Sequence, residues 1–535
     1  MATRHATDNH CNAVSQRDPF RNAPCRSVAV GLWGTAILFC ATLSCSRSPA
    51  AVDATAPDTE IHLGVAEGGS NSPDVGISDV WRSFAYEGLT LRGGDGRPLP
   101  RLARSWTVSD DGLRWVFTLE PGVVWHDGSP FTADAAVEAL TKALSPRRRS
   151  ALHPGLQDIT GIAADGPGRI ALTLSAPSAF LVDDLDLRLQ KAVTGGSALG
   201  TGPFIPTSVS PSRVVMQAHR QYHGGAPQTR TLVISQHPTA RQAWADLLRG
   251  ELDAVWNVSA ERAEFMNDQS IETRSFPRRY VYVLAFNSRR PQLRNPVVRR
   301  ALNSAVDRDA LIKGALRGQG KAAWGPVWPE HWAYDSTGAT FGFDPALAKA
   351  TLSGAGFPGS PNARRLRFSC LVPQGFDAIE RLALELQRSL HNVNVDLSFE
   401  SVELSEMESR MAAGSYDAVM LDLLSGPSLS RIYSFWHSPA AAAGLNVFGY
   451  SDARVDGALD ALRRSSSESV VRAATGQLQH AFADDPPGIF IAWSERSRAV
   501  SRRIDVPASS NLGPFQPVSQ WRVHVAPRTA GASPR

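Results

Sequence analysis

The sequence predicts an α/β fold with mixed sheets, spread over two to four domains or lobes. Three observations carry this reading. The chain has 535 residues, more than one ordinary core holds. Its composition is globular, with 43% hydrophobic and 20% charged residues. Short apolar strands and amphipathic helices alternate irregularly, with long excursions, and do not form one regular strand–helix–strand series. The charge balance, 55 basic against 51 acidic residues, is close to neutral and excludes a dedicated nucleic-acid binder. Five cysteines in such a chain exclude a disulfide framework.

The elements follow in order. The first residues are polar, with Arg17, Arg21 and Arg26 as their main charges, and then Val28–Leu43 carries no charge at all. That run is short of the roughly 20 residues a membrane span needs and suits the apolar core of a secretory signal, predicting a signal peptide over 1–44. Ser44-Cys45 after it resembles a bacterial lipobox, although Thr42 stands where the motif usually has Leu. Cys45 is therefore the expected lipidation site, with 45–58 as tether; a plain cleaved signal or an uncleaved anchor is the alternative. Cys370 would then be the single cysteine of the folded body, and its apolar run Leu366–Val372 reads as a buried strand. No later stretch is long and apolar enough to span a membrane.

Glu60–Ala66 reads as a strand, with Ile61, Leu63 and Val65 on one face. Arg104–Val108 and Arg114–Leu119 read as a hairpin around Asp110-Asp111-Gly112, because Asp-Gly suits the positive φ of a tight turn. Asp127-Gly128 ends the next strand. Thr132 then offers an N-cap oxygen for a helix running to Leu144. Val297–Leu316 carries one apolar stripe and reads as a single amphipathic helix. Phe376–Leu390 is another helix, leading into a strand at Val393–Phe399.

Motifs for catalysis are missing: there is no nucleophile elbow, zinc-protease helix, Cys pair or phosphate loop. Gly200-Thr-Gly-Pro-Phe204 lacks the third glycine of a dinucleotide loop. His219 and His223 fall four apart on a polar segment, which is more often a solvated face than a metal site, and no metal or cofactor is expected. Arg147-Arg148-Arg149 reads as a basic surface loop. The aromatic supply stands out, with 13 Trp, 21 Phe and 8 Tyr. Trp324, Trp328 and Trp332 are separated by Pro326 and Pro329, so they cannot share one helix face and read as a loop cover or pocket wall. The balance favours binding over catalysis.

Several blocks together carry a family resemblance: Tyr86-Glu-Gly-Leu89, Pro100-Arg-Leu-Ala-Arg-Ser-Trp106, Trp115-Val-Phe-Thr-Leu119 and Trp125-His-Asp-Gly-Ser-Pro-Phe-Thr132. Gly200–Phe204, Leu248-Arg-Gly-Glu-Leu-Asp253, Leu284-Ala-Phe-Asn287, Phe343-Asp-Pro345 and Ala483-Asp-Asp-Pro-Pro487 continue it in order. The sequence resembles the family 5 extracytoplasmic solute-binding proteins, the peptide- and nickel-type receptors of ABC importers. The resemblance implies a two-lobed periplasmic-binding-protein-like fold with mixed sheets, hinge strands between the lobes and an extra subdomain in the first lobe. It implies lobe I over 59–85, 199–284 and 489–535, the extra subdomain over 86–198, and lobe II over 285–488. The crossings are expected at Tyr282–Asn287 and Ile489–Trp493. The implied partners are an ABC permease with its ATPase, a peptide or peptide-like ligand, and the membrane through the lipid; the protein is expected to be a monomer outside the cytoplasmic membrane.

Ligand contacts are expected from Asp74, Tyr282, Asp422, Ser425, Gly426, Trp436 and Trp493. One departure matters. Peptide-binding members follow a Tyr-Asp strand with a Trp and then an Asp that pairs with the peptide amine. Here Tyr416 and Asp417 match, but the Trp position is Leu423 and the anchoring Asp falls at or near Gly426. Asp422 lies about four residues early. A peptide amine enclosed without a carboxylate loses its main reason to bind. Blocked peptides, sugars, metallophores and haem-like ligands stay open, as does a regulatory or interaction protein that has lost its cleft ligand.

Overall fold

Two long strands organise the chain, Ile271–Phe286 and Gly488–Ser501. They pair antiparallel from Ile271 opposite Ser501 to Ala285 opposite Gly488. The pairing breaks between Pro277 and Val281, and the register slips once more after Tyr282. Proline cannot donate to a ladder, so the break falls where the sequence requires it.

The computed structural model describes residues 59–66, 76–144, 153–193, 198–258, 268–338, 340–359, 365–438, 445–507 and 517–524. Residues from Pro57 onward form one unit. The signal peptide, Cys45, the tether, the Arg147–Arg149 loop and Asp74 lie outside the described residues.

On one side of the break, Ser501–Ala499 lead to Ala254–Val255, then to Glu60–Ala66 and Thr231–His237 in parallel. Arg213–Ala218 and Phe204–Val209 complete this half antiparallel. On the other side, Tyr280–Phe286 pairs with Ala418–Leu424, which leads to Leu366–Pro373 and Val395–Val402 in parallel. Gly320–Ala322 joins the far side of the returning strand. Among the described residues this is one mixed sheet of eleven strands shared by both halves. The segment Val281–Phe286 is buried at every residue, as a strand covered on both faces must be. One face packs with Tyr282, Phe286, Leu302 and Leu386, the other with Trp436, Tyr450, Phe482 and Trp493.

The expected extra subdomain region holds its own antiparallel sheet of Ala103–Val108, Arg114–Leu119, Arg169–Leu174 and Ile159–Ala164. Its hairpin turns at Gly112 with φ 72°. Thr132 caps the helix Ala133–Ala143, its side chain accepting from the Ala135 amide at 3.2 Å. Trp115, Phe117, Trp125 and Leu140 pack in the separate core of this region.

The stretch expected as one helix over 297–316 is instead two, Pro296–Ser304 and Arg308–Gly314. The cause is Asp307, whose carboxylate accepts the Ala310 amide at 3.0 Å and starts a second helix where the first would have continued. Beside it, the buried Arg308 guanidinium donates to the carbonyls of Ala323 and Phe490 and to Asn303, tying the returning strand to the helices. Cys370 is buried in the strand Leu366–Pro373, and burial pushes its thiol above the ordinary range.

Candidate binding cleft

The break in the crossing pair is where the candidate residues gather. Arg279 lies within it, and its carbonyl accepts both the Ser425 and Gly426 amides at 3.0 Å. Ser425 is buried and donates its hydroxyl to the Pro326 carbonyl at 2.7 Å. A Cβ on Gly426 would stand 3.3 Å from both Trp328 and Trp493. These two indoles meet edge to face at 4.8 Å, and Trp328 Nε1 donates to the Gly94 carbonyl at 3.2 Å. Trp332 stacks on His331 and carries the Arg97 guanidinium on its ring at 4.3 Å. Tryptophans 328 and 332 thus form a non-helical wall that meets the 94–97 turn.

Tyr282 and Asp422 are directly opposite each other on adjacent strands. Side chains alternate along a strand, so Tyr282 faces away from its neighbour Val281, the partner of Trp493. The candidate residues are therefore divided over the two faces of one sheet. Ser425, Gly426 and Trp493 gather on one side, Tyr282 and Asp422 on the other. Asp422 pairs with Arg278 at 3.6 Å, and the Ser494 hydroxyl lies 3.5 Å from the Tyr282 oxygen. Arg278 also covers the Tyr280 ring at 4.3 Å. Burial lowers the affinity of Arg496 for its proton, with Tyr282 opposing that, Arg278 adding to it and Asp422 opposing it. Asp422 is thus engaged with arginine, on the face away from Gly426.

Trp436 stands apart from both groups. It is fully buried in the core, stacked on Phe448 at 4.9 Å and edge-on to Phe490 at 5.7 Å. His219 and His223 diverge: His219 Nδ1 lies 3.1 Å from the Gly202 carbonyl, and His223 Nε2 lies 3.0 Å from Glu87. Among the described residues no three metal-ligating side chains converge.

Glu87 is a buried junction that sequence reading missed. It accepts from Arg101 at 2.6 Å, Tyr222 at 2.8 Å, Thr201 at 2.9 Å and His223. Burial alone would raise its carboxyl, but Arg101, His223 and Tyr222 outweigh that and hold it at about 2. Ser428 and Ser430 were missed as well. They donate to Asp183 at 2.6 Å and Asp184 at 3.1 Å. The signal was present in Val182-Asp-Asp-Leu-Asp186, an acidic run in an otherwise apolar stretch, which only buried partners explain.

A family model described as bacterial extracellular solute-binding proteins, family 5, matches residues 97–442. The chain is similar to Protein XP55 of Streptomyces lividans, 28% identical over 513 residues, covering 91% of this chain and 92% of that protein. It is also 28% identical over 358 residues to the dipeptide-binding protein of Escherichia coli, covering 60% of this chain and 67% of that protein. Among solved structures, NikZ from Campylobacter jejuni in complex with Ni(L-His) superposes with a TM-score of 0.71 at 22% identity. It covers 87% of this chain and 99% of that one, a likeness that establishes the fold.

Proposed function

The chain belongs to the bacterial extracellular solute-binding proteins of family 5, and on that premise we propose that it is the capturing subunit of an ABC importer for a small solute held without a free-amine anchor. Members of this family are extracytoplasmic binders and not enzymes. One observation carries the reading: the two halves share a sheet whose central strand pair is broken at Pro277–Val281, where a hinge for closure on a solute would sit. In this reading the receptor delivers its solute to the partner permease and its ATPase, and lipid on Cys45 keeps the receptor at the membrane face.

Ligand class follows from the wall. The dipeptide-binding relative is named for a peptide, and NikZ was solved with a nickel–histidine chelate. At the turn where a peptide amine would be neutralised, this chain has Gly426 under two indoles. Asp422, four residues earlier in the chain, faces Arg278 on the other side of the sheet. N-blocked or peptide-like solutes and chelates satisfy this wall; a charged α-amine there would be desolvated without compensation.

The test begins with native mass spectrometry of protein purified from its own host, which reports the bound solute. Calorimetry then compares a short peptide with its N-acetylated form on the parent and on Asp422→Asn. The expected result is no preference for the free amine, and equal changes for both forms in the variant. A preference for the free amine that Asp422→Asn abolishes would overturn the proposed ligand class.

A further inference from the structure

The two halves also touch through residues outside the two crossing strands. Before the outgoing strand, residues 92–186 present a turn at Gly94–Arg97 and the acidic run Asp183-Asp184-Leu-Asp186. Beyond it, residues 328–472 present Trp328, the serines that open helix Leu429–Trp436, and Arg463. Ser428 Oγ donates to Asp183 Oδ2 at 2.6 Å, and Ser430 Oγ donates to Asp184 Oδ1 at 3.1 Å. Arg463 pairs with Asp158, while its carbonyl accepts the Ala179 amide at 2.6 Å. At the rim, Arg97 meets Glu468 at 2.6 Å with both side chains exposed. Phe180 adds one aromatic contact, edge-on to Tyr433 at 5.8 Å.

We propose that this seam is a closing latch, in which the protein's own aspartates hold the Ser428 turn and keep the halves shut. Three features point that way. The seam is built mainly from hydroxyl–carboxylate bonds and ion pairs. A polar contact between units of one chain is the kind that opens, whereas an apolar one of similar extent stays fused. The described chain passes between the halves only through the two crossing strands, whose pairing is broken at one level, so a rotation there requires few backbone changes. And Ser428 belongs to the same turn as Gly426. The carboxylate that engages this turn therefore comes from the opposite half, where a ligand group would otherwise do so. Closure then draws on differential contacts within the protein, which shifts the balance of open and closed forms before any solute arrives.

The latch rests on the hinge reading but not on the identity of the solute, and its test is separate. Small-angle scattering of the full chain, freed of solute by partial unfolding and refolding, is compared with that of Ser428→Ala/Ser430→Ala. The expected result is a larger radius of gyration and a longer maximum dimension in the variant, with unchanged circular dichroism. Identical profiles would overturn the proposal. Should the double variant lose its circular dichroism, Glu468→Gln at the exposed rim decides in the same way: a shift of the profile toward the open form supports the latch, and no shift overturns it. A variant that opens, while calorimetry shows a free-amine preference that Asp422→Asn abolishes, would leave the latch standing and the proposed ligand class refuted. No opening, with no preference for the free amine, would do the reverse.

Discussion

Glu87 offers the sharpest physical test of how the first half is joined. Its carboxylate is buried and holds at about 2 against an ordinary 4.5, because Arg101, His223 and Tyr222 together outweigh the burial that would raise it. At about 1.4 kcal/mol per pH unit, that gap contributes ~3 kcal/mol to folding at neutral pH. The sign is fixed by the direction. A depressed carboxyl contributes fully above the unfolded value, near 4.5, and the contribution fades as pH falls toward 2. Glu87→Gln keeps the shape and removes the charge, leaving Arg101 without its counter-ion. The expected loss at pH 7 is about 3 kcal/mol, at the lower end of what breaking a buried pair costs, since Arg101 keeps some solvent access at 21% exposure. Urea unfolding followed by tryptophan fluorescence, run on both proteins at pH 7, 4 and 3, reads the difference between them. Other carboxylates cancel in that comparison. A difference that narrows as pH falls supports the account. One that is small at pH 7, or constant across the series, refutes it.

Arg308→Ala should destabilise the second half by about 3 kcal/mol, because its guanidinium donates to Ala323, Phe490 and Asn303 inside the core. Arg308→Lys should recover little, since an ammonium lacks the fork; urea midpoints report both. Cys370 should resist a thiol reagent at pH 8 in the native protein and react once urea is added, as peptide mapping of the Cys370 peptide would show; native labelling would contradict its burial. Gly426→Asp should not create amine binding. Its Cβ meets Trp328 and Trp493 at 3.3 Å, so the variant should lose about 1–3 kcal/mol of stability in thermal unfolding. Calorimetric gain of free-peptide binding in that variant would contradict this.

Local signals were legible where a residue acts on its own neighbours. Thr132 announces its helix, Gly112 its hairpin, and Glu60–Ala66 its strand. Asp307 was a local signal too, but the continuous apolar stripe masked it, and the cap prevailed over the stripe. The crossing strands were legible only at their apolar ends. Ile271–Arg279 carries Glu272, Arg274, Pro277 and Arg278, a pattern that argues against a strand until the partner strand is known. The site divides in the same way. Aromatic supply and the Gly426 departure are readable along the chain. That Tyr282 and Trp493 face opposite ways requires the register. The Ser428–Asp183 bond joins residues 245 apart, and no local pattern encodes such a pairing.

The returning strand has a consequence for biogenesis. Gly488–Ser501 borders Ala254–Val255, Ile271–Phe286 and Gly320–Ala322, so it stands in the middle of both halves although it is among the last strands synthesised. Neither half closes its sheet until that stretch has emerged, and pairings of such long sequence separation form slowly. A growing chain therefore stays unfinished until residues 488–501 have left the ribosome, the state a translocation channel that threads unfolded polypeptide requires. It also makes any truncation before residue 488 a lesion to the whole molecule and not to one lobe.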